Sequence, residues 1–279
     1  MDGGLVGFRA LVDDIYREVI KIKVTGKSKD ETAIITPLQR FERKFSVLPR
    51  NIGFAYAMLR QVCRPDREYP QSRVHSLYFD NVDLEQYERS AAGDFRKDKV
   101  RIRWYGDNSD GQGEIPVYVE LKKREGFASS KQRQQFMVPA PSLEPGNLSS
   151  GILSNTELME TLAGFGHFPE KPIKPIIVIS YQRYRFNEMQ TGVRVSFDYN
   201  IKAAVVAWEL GRREREIRLN QGVIEVKGPS LELPVTLRRM GLLDADWSRF
   251  SKYGSCLEAH FTEPGSVARF SPSGRMVEL

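Results

Sequence analysis

Four stretches of the chain place charged residues two apart: Glu42 and Lys44, Arg101 and Arg103, Glu120 and Lys122, Glu225 and Lys227. In an extended strand, residues i and i+2 point to the same face, so each pair would be presented side by side. Two guanidiniums at that spacing can grip neighbouring phosphates through paired N–H donors. The lysines add point charges. Glu42, Glu120 and Glu225 are hard oxygen ligands suited to Mg²⁺ or Mn²⁺, ions that take few carboxylates and complete their shells with phosphate oxygens. Phosphoryl transfer needs mainly this: positioned cations and carboxylates that hold a metal, with little covalent work for the protein.

The pairs belong to a wider pattern. Phe41–Phe45, Lys99–Tyr105, Val117–Lys122, Ile179–Arg183, Val193–Asp198, Val223–Lys227 and Arg249–Tyr253 all alternate polar or charged with apolar positions, as strands with one greasy face do. An antiparallel sheet with one solvated face alternates in the same way, and any single stretch fits that reading. The repetition of Arg-x-Arg and Glu-x-Lys distinguishes the set, because like charges crowded into a partly dry site repel unless a ligand joins them. If the sheet closes into a barrel, the charged face lines its inside, which suits a polyanion with a metal.

Other chemistries find little support. The sequence has no His-Glu-x-x-His, Gly-x-Gly-x-x-Gly or Cys-x-x-Cys, and Gly228–Glu232 misses the nucleophile elbow at its last position. Gly26-Lys-Ser28 resembles the end of a P-loop but lacks the glycine required at position 21. His75, His167 and His260 are scattered and read as structural. Cys63 and Cys256 cannot make a zinc site alone, and their spacing implies no disulfide. The net charge of +6 favours an anionic partner. Nucleic acid is not expected, because the aromatic residues form no exposed stacking series between the cations. Ile176–Ile179 and Ala203–Trp208 are too short to span a bilayer, and the N-terminal apolar stretch is broken by Asp13, Asp14 and Glu18. A soluble, cytoplasmic protein without membrane insertion is the expectation.

The elements that must position these residues follow from periodicity. Residues 4–23 read as a helix with a narrow apolar seam, suited to packing on the domain or to a homo-oligomer or partner contact. Helices are also expected from Asn51, as its cap, to Val62, at Leu84–Arg89, at Glu157–Gly164 and at Leu231–Leu243. Strands begin near Pro37 and resume from Ile176 to Val226. The division is an N-terminal helix and loop over 1–35, one α+β domain over 36–262 and a loose tail over 263–279.

The order and spacing of Phe41-Glu-Arg-Lys-Phe45, Leu77-Tyr-Phe-Asp-Asn81, Val100-Arg-Ile-Arg-Trp-Tyr105, Glu120-Leu-Lys122, Tyr181-Gln-Arg183, Val193-Arg-Val-Ser-Phe-Asp198, Ile224-Glu-Val-Lys227 and Phe250-Ser-Lys-Tyr253 resemble the VTC (vacuolar transporter chaperone) domain. That is the polyphosphate-polymerase branch of the triphosphate tunnel metalloenzymes, a CYTH-like superfamily.

The resemblance implies a closed antiparallel β-barrel of about eight strands with flanking helices, its interior lined by basic residues that hold ATP or polyphosphate. Matching positions make Lys44, Arg101, Arg103, Lys122, Arg183, Arg194 and Lys252 phosphate ligands, with Lys44, Arg101, Arg103 and Lys252 closest to the chemistry. Glu225 becomes the principal metal ligand with Lys227 beside it, and Glu42 and Glu120 are further carboxylates for Mn²⁺ or Mg²⁺. Arg249 stands at another basic position, and Lys131 or Arg133 would serve from the loop after the fourth strand. The implied reaction passes the γ-phosphoryl of ATP to a growing chain and releases ADP. Hydrolase and cyclase branches carry Glu-x-Glu-x-Lys on the first strand, where this chain has Arg40, Glu42 and Lys44, which favours the VTC branch. A hydrolase in the same tunnel and a non-catalytic polyphosphate- or triphosphate-binding module are the rival expectations.

Overall fold

The alternation read from the sequence becomes one mainly antiparallel sheet in a computed structural model. The structure describes residues 41–106, 113–126, 128–211, 216–230, 232–243, 246–247 and 250–262. The N-terminal helix expected over 4–23, Arg40, Arg249 and the tail after Pro264 lie outside them.

The strands are β1 (Phe41–Val47), β2 (Cys63–Pro65), β3 (Gln71–Asp80), β4 (Arg96–Tyr105), β5 (Glu114–Glu125), β6 (Ala128–Pro139), β7 (Lys174–Glu188), β8 (Arg194–Val205), β9 (Ile217–Leu219), β10 (Gly222–Gly228) and β11 (Asp246–Trp247). Four described α-helices accompany them: α1 (Ile52–Val62), α2 (Glu85–Ala92), α3 (Asn155–Gly164) and α4 (Lys252–Thr262). The fold is therefore α+β. The hydrogen-bonded path runs β11-β1-β10-β8-β7-β3-β4-β5-β6, with β2 on β7 and β9 on β8.

The closed barrel of about eight strands is not reproduced as a continuous ladder. Among the described residues the eleven-stranded sheet stays open in its backbone hydrogen bonding, ending at β6 and β11. It is nevertheless strongly curled. β1 and β5 are six steps apart along the path, which in a flat sheet would separate them by roughly 29 Å. Yet Lys122 Nζ on β5 lies 3.3 Å from Glu42 Oε2 on β1. Side chains bridge where backbone ladders do not.

The pleat sorts the residues between two faces. Outward positions of β3, β4 and β5, including Leu77, Ile102, Trp104 and Val119, pack with Leu158 and Leu162 of α3. That helix starts at a capping box in which Ser154 and Glu157 satisfy each other's backbone N–H. On the other wing, Phe45, Phe197, Ile224 and Val226 pack against Ala55, Met58 and Leu59 of α1. Leu237, Met240 and Leu243 join them from Val235–Leu243, which is helical as expected but wound as a 3-10 helix. Asn51 stands at the N-cap position of α1 as expected, but its side chain makes no capping hydrogen bond. Its side-chain amide donates to Leu243 O at 2.8 Å, tying α1 to that segment.

Inward positions of β7 run Ile177, Ile179, Tyr181, Arg183 and Arg185. The first three are buried with Cys256 and Leu257 of α4, and the polar stretch begins beyond them. Arg249–Tyr253 was expected as a strand, but Lys252 and Tyr253 open α4. Cys63 and Cys256 are both buried and free. Among the described residues no helix is long and apolar enough to cross a membrane.

Candidate functional site

The concave face gathers cations from β1, β4, β5, β6, β7, β10 and the start of α4 around four carboxylates, Glu42, Glu120, Asp198 and Glu225. Three of the four are nearly sealed from solvent: Asp198 is 0%, Glu120 1% and Glu225 6% exposed. A buried carboxylate must be matched by cations or hydrogen bonds, and each of these is.

Glu120 anchors the first cluster. Arg101 donates Nε and Nη2 to Glu120 Oε2 at 2.8 and 2.7 Å. Lys131 reaches Oε1 at 2.5 Å, Arg133 at 3.5 Å, and Arg103 stands 3.9 Å from Oε2. Antiparallel register explains the gathering, since Glu120 lies opposite Arg101 on β4 and Arg133 on β6. Burial alone would raise the pKa of Glu120. Arg101, Arg103 and Lys131 outweigh it and hold the carboxylate at about 2. Burial lowers Lys131 to about 8 despite Glu120 beside it.

Asp198 on β8 anchors the second. Arg183 donates to its two oxygens from Nε and Nη2 at 2.6 and 2.7 Å, and Lys252 of α4 lies 2.5 Å from Oδ2. Against the cost of burial, those two cations hold Asp198 below the usual carboxylate range. Lys252 also sits over the Tyr181 ring, 4.7 Å from its centroid.

Glu225 and Glu42 form the third. Lys227 lies 2.7 Å from Glu225 Oε1, and Arg183 lies 3.7 Å from Oε2. Burial would raise Glu225, but Lys227, Lys44 and Arg183 bring it well below its ordinary value, and Glu42 is within hydrogen-bonding reach. Lys44 stands between the acids, 3.3 Å from Glu42 Oε1, and donates to Phe250 O at 3.2 Å. Burial pulls Lys44 down, yet Glu225 and Glu42 prevail and raise it.

The sequence-derived residues therefore divide clearly. Lys44, Arg101, Arg103, Lys122, Lys131, Arg183, Lys227 and Lys252 share the concave face with the acids. Arg194 is exposed at its margin, opposite Lys227 in the ladder. Arg249 lies outside the described residues. Glu42 and Glu225 meet, whereas Glu120 stands apart, neutralised by four basic side chains. Among the described residues no three His, Cys, Asp or Glu side chains gather as a metal-ligand set. Two adjoining carboxylates completed by phosphate oxygens are the donor set that Mg²⁺ or Mn²⁺ accepts, so Glu225 and Glu42 fit such an ion and Glu120 serves as a counter-ion.

Three contributors escaped the sequence reading. In the sequence Asp198 stands only as the end of the alternating stretch Val193–Asp198. Tyr78 receives Arg101 Nη1 at 3.0 Å. Lys99, next to the Arg101 pair in the alternation, donates to Ser251 Oγ at 2.9 Å. Burial, then Lys44, Lys122 and Arg101, push Lys99 down to about 7. The period-two rule would have found Lys99, which shares the face of Arg101 and Arg103. The histidines take no part: His75 stacks on Trp104, and His260 shares a hydrogen bond with Leu210 O.

The profile of the VTC domain family matches residues 39–261, and the chain belongs to that family. No curated protein matches the sequence. Among solved structures, a candidate adenylate cyclase from Bacillus halodurans aligns at 17% identity and a TM-score of 0.46, over 76% of this chain and 95% of that one. Another from Vibrio parahaemolyticus aligns at 10% identity and a TM-score of 0.39, over 78% and 98%.

Proposed function

We propose that this protein is a metal-assisted polyphosphate polymerase that moves the γ-phosphoryl of ATP onto inorganic polyphosphate. The carrying observation is the convergence of basic side chains from six strands and α4 on one concave face, where they outnumber the carboxylates. Such a face favours a multiply charged linear anion over any neutral substrate.

The terminal phosphate oxygen of the chain is already ionised, so no protein nucleophile or general base is required. That oxygen forms a bond to the γ-phosphorus while the bond from γ-phosphorus to the β–γ bridging oxygen breaks, and ADP leaves. Arg101, Arg103 and Lys44 spread the equatorial charge, and Arg183 and Lys252 hold the flanking phosphates. A divalent ion held by Glu225 and Glu42 would supply Lewis-acid neutralisation of the transferred group. An ATP donor fits a cytoplasmic site of action.

The test is to incubate purified protein with ATP and Mn²⁺ and resolve the products on a polyphosphate gel. Long chains support the proposal. Free phosphate without chains replaces it with hydrolysis. Neither product, with stabilisation by tripolyphosphate, replaces it with a binding module.

A further inference from the structure

At one margin of the cationic face the lining changes from charged to aromatic. Tyr105 and Tyr118 meet edge to face, 6.0 Å between ring centroids and inclined by 66°. Both are only half-buried. The Arg133 guanidinium lies 3.4 Å above the centre of Tyr118, and Arg185 lies 5.9 Å from the centre of Tyr105. Arg185 is steadied by donation to Ser72 Oγ at 2.8 Å. Tyr69, 60% exposed, adds a third ring within electrostatic reach of Tyr118.

The position of this group relates it to the phosphate ligands. Tyr118 is two residues from Glu120 on β5, Tyr105 two from Arg103 on β4, and Arg185 two from Arg183 on β7. Each step is about 7 Å along an extended strand, close to the span of a ribose between a base and its first phosphate. At the opposite end of β7, Ile177 and Ile179 lie under α4. A donor with its triphosphate among Arg101, Arg103 and Arg183 would meet rings and guanidinium planes at this margin.

We infer that Tyr105, Tyr118 and the guanidinium of Arg133 form a stacking subsite for the base of the nucleoside triphosphate donor, while the interior reads phosphate alone. This rests on the phosphoryl-transfer reading of the same face. Flat π-surfaces and a planar cation hold a base without selecting its edge. The subsite would therefore favour a nucleotide over bare tripolyphosphate and discriminate weakly among bases.

The experiment compares affinities for ATP and tripolyphosphate by calorimetry in the full chain and in Tyr118→Ala, Tyr118→Phe and Tyr105→Ala. Removal of either ring should weaken ATP about tenfold or more, the scale of base stacking on an aromatic side chain. Tripolyphosphate should stay within about twofold, and Tyr118→Phe should restore ATP binding. Because Arg133 also reaches Glu120, the tripolyphosphate arm separates lost stacking from a disturbed phosphate site. Equal weakening of both ligands, or unchanged ATP affinity, overturns the subsite. Tripolyphosphate binding with no ATP binding in the unmodified chain overturns it while sparing the cationic face. Binding of neither ligand removes the functional reading itself.

Discussion

Tyr253, the second residue of α4, donates its hydroxyl to Asp80 Oδ2, at the end of β3, over 2.8 Å. The same carboxylate accepts backbone N–H groups from Asn81, Gln86 and Tyr87. One buried side chain thus ties β3, α2 and α4 together, and Tyr78 stacks on Tyr253 beside it at 4.9 Å. This anchorage holds Lys252 against Asp198. Tyr253→Phe keeps the ring but removes the donor, and should lower stability by about 1–2 kcal/mol, read from the denaturant midpoint. An unchanged midpoint would show that Asp80 is satisfied without Tyr253.

Glu225 and Glu120 are both buried glutamates but should behave oppositely. Glu225→Gln removes the charge of the proposed metal ligand while preserving shape, and should cut turnover at least about a hundredfold. Tripolyphosphate affinity in metal-free buffer should hold or improve, because Lys44, Lys227 and Arg183 lose a competing anion. Full turnover in this variant would contradict the assignment.

Glu120→Gln should instead destabilise the free protein, since Arg101, Arg103, Lys131 and Arg133 lose their common counter-ion. Added tripolyphosphate should restore the melting temperature more than it raises that of the unmodified chain. The pH dependence has a defined sign. The folded carboxylate titrates at about 2, below its ordinary 4.5. Its stabilisation is full above that ordinary value and is lost as pH falls towards 2. A melting curve of Glu120→Gln that tracks the unmodified protein over this window would contradict the role.

On the proposed function, Lys99 and Lys131 should make tripolyphosphate binding pH-dependent. Burial and neighbouring cations lower Lys99 to about 7, so it carries its charge below that pH and loses it above. Lys131, lowered chiefly by burial to about 8, follows. Tripolyphosphate affinity should fall as pH rises through about 7 and again near 8, and Lys99→Met should erase the first step. A bound polyanion favours protonation, so the inflections should lie higher in the complex than in the free protein. Persistence of both steps in Lys99→Met would refute the assignment.

Much of this was legible in the sequence because strand periodicity is local. Arg101 with Arg103, and Glu225 with Lys227, could be placed on common faces without knowing their neighbours. Register could not be read. Glu120 looks like a metal ligand by residue type, and only its position opposite Arg101 and Arg133 shows that it balances cations. Asp198 is missed for the same reason, since its meaning comes from Arg183 on the adjacent strand and Lys252 on a distant helix. Arg249–Tyr253 misled because alternation over five residues also fits the edge of a helix. Tyr253, Cys256, Leu257 and His260 repeat at three- and four-residue spacings and are the buried face of α4. The curl of the sheet depends on contacts between strands far apart in its order, such as Lys122 with Glu42, which no local pattern encodes.

The central claim is group transfer to a phosphate chain rather than to water. Its most direct test is the ratio of ADP released to phosphoryl groups recovered in acid-insoluble polyphosphate, measured with γ-labelled ATP and Mn²⁺. One label incorporated for each ADP is the predicted result. ADP accompanied by an equal amount of free phosphate, with no label in chains, would contradict it.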